Sequence, residues 1–287
     1  MLSVKDAAGV CQYGVCILTH PVERAGAGPW TPSALADVVD GMVDWDIASP
    51  DQAHALTVRF IPHCTPLLLI QYRTPALISW QFGPHSFRDP GYIHFVTKLQ
   101  CGVITVQSRG PLGVICVHLR PEAAARLLGE QLQGFLDAQI GLDDLFGAGQ
   151  ISLLEEMLSE AKTSAERFAY VARFLAANLR TSRAKPIACR AADLLRRNPN
   201  LGIRHLAARL DVGERHLSRT FQTLFGMPPK QFARIARIES AMSARAQGAA
   251  WAEIASATGF TDQAHMVHDF NKIVGVTPAQ LVRPLFG

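Results

Sequence analysis

LAARLDVGERHLSRTFQTLFGMPP, residues 206–229, carries two apolar stripes separated by a single break. With Ile203 just upstream, Leu206, Ala207 and Leu210 fall at i, i+3, i+4 and i+7, which is one face of a helix. Asp211-Val212-Gly213 interrupts the pattern. Leu217, Phe221, Leu224 and Phe225 then fall at i, i+4, i+7 and i+8, predicting a second amphipathic helix that Gly226 closes. Two short helices joined by a three-residue turn containing glycine are the signature of a helix-turn-helix.

The same device recurs downstream. Trp251, Ile254, Ala255 and Thr258 repeat the first stripe 48 residues on, and Gly259-Phe260-Thr261 supplies the break. Met266, Phe270, Ile273 and Val274 repeat the second stripe at an offset of 49. Gly226-Met227-Pro228-Pro229 is matched by Gly275-Val276-Thr277-Pro278. Self-similarity at a fixed spacing points to architecture. The spacing predicts two helix-turn-helix units joined by one long helix over 229–245, with Phe232, Ile235 and Ile238 buried. One such unit arises by chance in an all-α bundle far more often than two in register with matching terminators.

The residues that avoid the apolar stripes suit a duplex. On the first candidate reading helix these are Glu214, Arg215, His216, Ser218, Arg219 and Gln222. Arginine can grip guanine O6 and N7 with two hydrogen bonds, while Gln, Ser and His supply further groove contacts. On the second they are Asp262, Gln263, Ala264, His265, His268, Asn271 and Lys272. Gln263 or Asn271 suits adenine, and Lys272 suits a phosphate. Asp262 and Asp269 are awkward near phosphates. Either carboxylate can accept from a cytosine amino group, but Asp262 is better placed to serve the positive end of its helix.

Charge divides the chain in the same place. Residues 1–179 hold 12 Lys and Arg against 17 Asp and Glu, a net of −5, and residues 180–287 hold 16 against 7, a net of +9. A basic module beside an acidic one suggests a polyanionic partner, although solvated helix faces also collect lysine and arginine. The polar run 180–186, ending in Pro186, reads as a linker. No apolar run of membrane-spanning length occurs, and the N-terminus makes a poor signal peptide, so a cytoplasmic, nucleoid-associated protein is expected. The six cysteines, at 11, 16, 64, 101, 116 and 189, form no CxxC pair, which disfavours a zinc framework. A redox role for Cys11 and Cys16 ranks below simple burial.

Residues 187–287 resemble the DNA-binding domain of AraC-type transcription regulators (the AraC/XylS family). The likeness is carried by Leu217-Ser218-Arg219-Thr220-Phe221 with Gly226 and Pro229, by Arg237 with Ala241, and by Ile254-Ala255, Gly259-Phe260, Phe270, Gly275 and Thr277-Pro278. It implies about seven helices whose two units enter successive major-groove segments. Gly213 departs from the family's serine N-cap, a change worth only a few tenths of a kcal/mol. Met266, the pair His268-Asp269, and Ala244-Arg245 also depart from its pattern.

Upstream, short β-type runs at 56–61, 67–72, 76–82, 92–97, 103–107 and 114–119 are punctuated by proline and glycine, which suggests a small sandwich or barrel. Helical spacing follows over 122–128, 151–158 and 166–179, with Pro121 before and Gly129 after the first of these. The order resembles AraC-type regulators whose first domain is a cupin-like sensor. The expected fold is therefore α+β and multidomain: a β-rich, cupin-like barrel over 1–120, a helical and dimerising segment over 121–179, the linker over 180–186, and the double helix-turn-helix over 187–287. Leu153, Leu154, Met157 and Leu158 are candidates for a subunit seam, weighed equally against burial on their own β-domain. Arg59, Trp80 and Tyr92 are candidates for effector contact. His63-Cys64, His94 and His118 could line a cavity.

No HxH pair, Ser-His-Asp context, phosphate loop or catalytic carboxylate pair stands out, so no catalytic residues, no metal and no cofactor are expected, and the chain is not read as an enzyme. The function expected is sequence-specific transcription regulation. The expected partners are promoter DNA, a small-molecule effector, a second copy of the chain and, for an activator, RNA polymerase. The rivals are a DNA-tethered enzyme or repair protein sharing the reader, and a non-specific nucleoid binder.

Overall fold

A computed structural model describes residues 16–18, 27–30, 35–54, 57–82, 85–89, 95–97, 103–128, 139–180 and 186–282. The first half supplies β1 (Cys16–Leu18), β2 (Ala27–Trp30), β3 (Val39–Ile47), α1 (Pro50–His54), β4 (Thr57–Phe60), β5 (Leu67–Gln71), β6 (Leu77–Phe82), β7 (His85–Asp89), β8 (Phe95–Thr97), β9 (Val103–Gln107) and β10 (Leu112–Leu119). Then come α2 (Pro121–Leu128), β11 (Gln139–Gly141), α3 (Leu142–Phe146), α4 (Ala148–Glu160) and α5 (Ser164–Asn178). The last hundred residues are helical: α6 (Ile187–Arg197), α7 (Ile203–Arg209), α8 (Glu214–Phe225), α9 (Pro229–Ala246), α10 (Trp251–Ala257), α11 (Gln263–Ile273) and α12 (Pro278–Leu281).

The strands form two antiparallel sheets, in the orders β1-β4-β9-β6-β7 and β11-β8-β5-β10-β3-β2. Among the described residues no ladder joins them into a closed barrel. The reason lies in β5 and β10, which are buried along their whole length. Alternate residues of a strand face opposite sides. Leu67, Leu69, Val114 and Cys116 pack toward the five-stranded sheet, with Phe60, Ile78 and Ile104. Leu68, Ile70, Ile115 and Val117 pack on the other side with Ala124, Leu154, Leu158 and Val171. A sheet apolar on both faces needs a layer on each, so the half stacks as sheet, sheet and helices.

That packing decides the seam candidates. Ile151, Leu154 and Leu158 form the buried stripe of α4, so Leu154 and Leu158 are committed to the chain's own core rather than to a subunit seam. Met157 is half-buried, and Leu153, on the opposite side, is 57% exposed. A buried ionic cluster ties the helices to the sheet. Arg167 of α5 reaches Asp44 at 3.0 Å and Asp46 at 2.9 Å, and donates to the Leu158 and Ala161 carbonyls at 3.1 and 2.9 Å. The Tyr72 hydroxyl donates to the other oxygen of Asp44, and its ring lies 4.5 Å beneath the guanidinium. Burial first, then Asp44, pushes the Tyr72 hydroxyl far up, so it remains a donor.

The strands expected over 56–61, 67–72, 76–82, 103–107 and 114–119 are present with slightly different ends, and only Phe95–Thr97 of the run at 92–97 is described as a strand. β3, the longest strand, was not expected. Residues 181–185 of the linker lie outside the described residues.

Candidate nucleic-acid interface

Each helix-turn-helix turns on one left-handed residue. Asp211 has φ 56° between α7 and α8, and Gly259, 48 positions later, has φ 82° between α10 and α11. Gly226 and Gly275 close the two reading helices, again left-handed at φ 71° and 84°. Gly226 is an αL cap that relieves α8 of the steric cost of a side chain there. The long helix α9 then starts on Pro229 at its first turn, where the missing N–H costs nothing, and α12 starts likewise on Pro278. Phe232, Ile235 and Ile238 are buried along α9, as the spacing predicts. α9 thereby carries a core at each end, one built on Phe221, Phe225 and Phe232, the other on Met242, Ile254, Met266 and Phe270.

The apolar stripes turn inward and leave the expected polar residues outside. On α8, Glu214, Arg215, His216, Arg219 and Gln222 are exposed and Ser218 is half-buried. On α11, Gln263, Ala264, His268, Asn271 and Lys272 are exposed. Two of the candidates are engaged inside the fold. The Gln222 amide donates to the Gly226 carbonyl, folding back over its own helix end. His265 is half-buried, accepts at Nδ1 from the Thr261 N–H at 3.2 Å, and sets its ring edge-on to Phe260 at 5.6 Å. Asp262 caps α11, accepting from the His265 N–H at 2.7 Å, as its position before the apolar stripe suggests.

Asp269 departs most from the expectation of a groove contact. It is buried, and Arg234 of α9 donates to both its oxygens, at 2.6 Å through Nη2 and 3.2 Å through Nε. Arg237 Nη2 lies 3.5 Å away and His265 Nε2 3.8 Å. Burial alone would raise this carboxyl, but the Arg234 fork, and then His265 and Arg237, hold it below the usual aspartate range. Sequence reasoning missed the role because the partner sits 35 residues earlier. The signal available was an acid at i+4 from a histidine, opposite an arginine-bearing helix.

A family model described as a helix-turn-helix domain matches residues 206–283. The C-terminal helices are an AraC-type helix-turn-helix domain. No curated protein matches the chain. Among solved structures, ToxT from Vibrio cholerae is similar at 13% identity, covering 86% of this chain and 98% of ToxT with a TM-score of 0.50. ToxT with an unsaturated fatty acid bound gives 14% identity over 84% and 94% of the two chains, at a TM-score of 0.47. The AraC-like transcriptional activator CuxR gives 14% identity over 73% and 80%, at 0.32. The likeness to ToxT is one of fold.

The AraC-type domain is docked onto the β-rich half through α6 and α9. Asp40 of β3 pairs with Arg196 of α6 as well as with Arg120, at 3.1 Å. The Cys64 N–H donates to the Glu239 carboxylate of α9 at 3.1 Å, and its thiol lies 3.6 Å from the Phe232 carbonyl. Cys64 belongs to the first reader's core, while Ile61 and Val103 belong to the second's. Burial pushes the Glu239 carboxyl up, against the pull of Arg196. His63 and His118 lie fully inside this seam with ring centroids 6.3 Å apart. Burial lowers His63 to about 4, against its hydrogen bond to the Ile61 carbonyl and with help from Arg196, and lowers His118 to about 3 with help from His63 and Arg196, so both are neutral near pH 7.

Of the effector candidates, Arg59 lies half-buried in β4, registered opposite Thr105 of β9. Trp80 lies in β6, registered opposite Ile104, so the two are not cross-strand neighbours. Tyr92 and His94 lie outside the described residues. Among the described residues no cluster of three or more metal-ligating side chains occurs, and no helix is long and apolar enough to cross a membrane.

Proposed function

We propose that this chain is a sequence-specific transcription regulator that reads promoter DNA with α8 and α11, under the control of its β-rich half. The observation that carries this reading is the pair of reading helices mounted on one connecting helix, with Arg215, Arg219, Gln263, His268, Asn271 and Lys272 facing solvent. Two such helices set about 34 Å apart would reach successive major-groove segments on one face of a duplex. Arg215 and Arg219 would grip guanine, and Gln263 or Asn271 adenine. Glu214, His216, Ser218, Gln222 and Ala264 complete the proposed contact surface, and His265 acts from behind it.

Control by a small-molecule effector belongs to the same proposal. What supports it is the continuous packing of the β-rich half onto α9, the element that spaces the readers. A ligand that bound the docked and undocked arrangements unequally would shift their balance. Arg59, Trp80 and Tyr92 are the proposed effector contacts. The divisions at 120, 179 and 186, a homodimer with Leu153 near its seam, and contact with RNA polymerase by an activator complete the reading.

Genome-wide footprinting tests it. Sharp protection upstream of promoters is expected, and a uniform background would overturn it in favour of a non-specific binder. At an identified site, Arg215→Ala or Arg219→Ala should weaken binding by about 1–3 kcal/mol and blur one or two base positions. A loss spread equally over all sequences would make that arginine a phosphate contact.

A further inference from the structure

The two reading helices are fixed to α9 by different chemistry. α8 is held by rings: Phe221 lies 4.7 Å from Phe225 and 5.3 Å from Phe232, centroid to centroid. The position equivalent to Asp269 in this first unit, 49 residues earlier, is Thr220, whose hydroxyl donates to the His216 carbonyl inside its own helix at 2.9 Å. α11 has a carboxylate there instead. Asp269 takes the Arg234 guanidinium on both oxygens and has Arg237, one turn further along α9, at 3.5 Å. Through His265 it is also joined to the turn before the helix, since that imidazole binds the Thr261 N–H while the Phe260 ring lies 5.6 Å from the imidazole and 5.6 Å from the Arg237 guanidinium.

These attachments differ in what they constrain. Ring packing is attractive over a range of angles, whereas a guanidinium meeting a carboxylate in a planar fork fixes direction as well as distance. A roll of 20° about the helix axis moves a Cα by about 0.8 Å, more at the side-chain tips, which is enough to break a hydrogen bond to a base edge.

We propose that Asp269 is a positioning residue for base reading: held by Arg234 and Arg237 and backed by His265, it fixes the roll of α11 on α9 and so sets which base edges Gln263, His268, Asn271 and Lys272 meet. This rests on the DNA-reading function argued above, and it places His265 behind the reading surface rather than on it.

Selection of binding sites from a randomised duplex pool, with the full chain and its Asp269→Asn variant, tests the assignment. The wild type should select two segments about 10 base pairs apart, one per reader. The variant, checked for folding by circular dichroism and melting, should keep one segment and lose base preference in the other. Its affinity for the wild-type site should fall at least tenfold, while its affinity for random duplex stays within twofold. A folded variant that selects both segments with affinity within twofold would overturn the proposal. So would an equal weakening on every duplex, which marks the carboxylate as merely structural. Arg234→Lys, which keeps the charge and loses the fork, should behave the same way and replaces Asp269→Asn if that variant does not fold. A wild-type chain that selects no motif at all would overturn the DNA-reading function, and this inference with it. A wild-type motif untouched by either variant overturns this inference alone.

Discussion

Arg167 shows how one side chain can organise a half of the molecule. It is almost wholly buried, yet every direction of its guanidinium is answered by Asp44, Asp46 or a carbonyl at the end of α4. Replacing a buried ion pair with matched apolar groups can be neutral, but removing one partner leaves a charge with nothing to balance it. Arg167→Ala should therefore cost about 3–5 kcal/mol, read as a shift in the urea unfolding midpoint at unchanged slope. A loss below about 1 kcal/mol would show that water replaces the guanidinium at Asp44. At this scale the sequence was legible where a residue acts on its own neighbourhood. Asp262 caps the helix that begins beside it, and its role follows from position. Asp269 and Arg167 were not legible, because their partners come from other elements and no local spacing brings them together.

Elements were readable in proportion to how well their periodicity survives function-neutral packing. The helices from α7 to α11 announce themselves through stripes, breaks and closing glycines, and their ends fall within a residue or two of expectation. β3 did not, because four of the nine residues in VDGMVDWDI are Asp or Gly, types depleted in strands. Its three acids are tolerable in a buried strand only because each has a basic partner: Asp40 with Arg120 and Arg196, Asp44 with Arg167, and Asp46 with Arg73 and Arg167. The turns make an opposed pair of predictions. Gly213, extended at φ −72° with open space around it, caps α8 without a side chain, so Gly213→Ser should stabilise by a few tenths of a kcal/mol. Gly259 is left-handed, and a Cβ there would meet the Asn200 side chain within 2.2 Å. Gly259→Ala should destabilise by about 1–2 kcal/mol. Thermal melting of the two variants should move in opposite directions, and a shared sign would refute the assignment of the turns.

For the whole molecule, the division of charge into −5 and +9 pointed to two chemistries, and the repeat located the readers. What the sequence concealed is the docking of the halves, since no periodicity records a contact between Asp40 and Arg196 or between Cys64 and Glu239. Asp40→Ala should leave Arg196 without that partner. Hydrogen exchange should then quicken in α6 while α4 and α5 keep their protection. Unchanged exchange in α6 would mean that apolar packing alone holds the seam. Because Cys64 supplies a side chain to one of the cores that flank α9, and Ile61 and Val103 supply side chains to the other, the helical half does not own a complete interior. A graft that joined this half to a foreign sensor at Pro186 would leave holes where those side chains had been. Transplants of the reader should therefore succeed only when the new partner fills those holes with apolar side chains of its own.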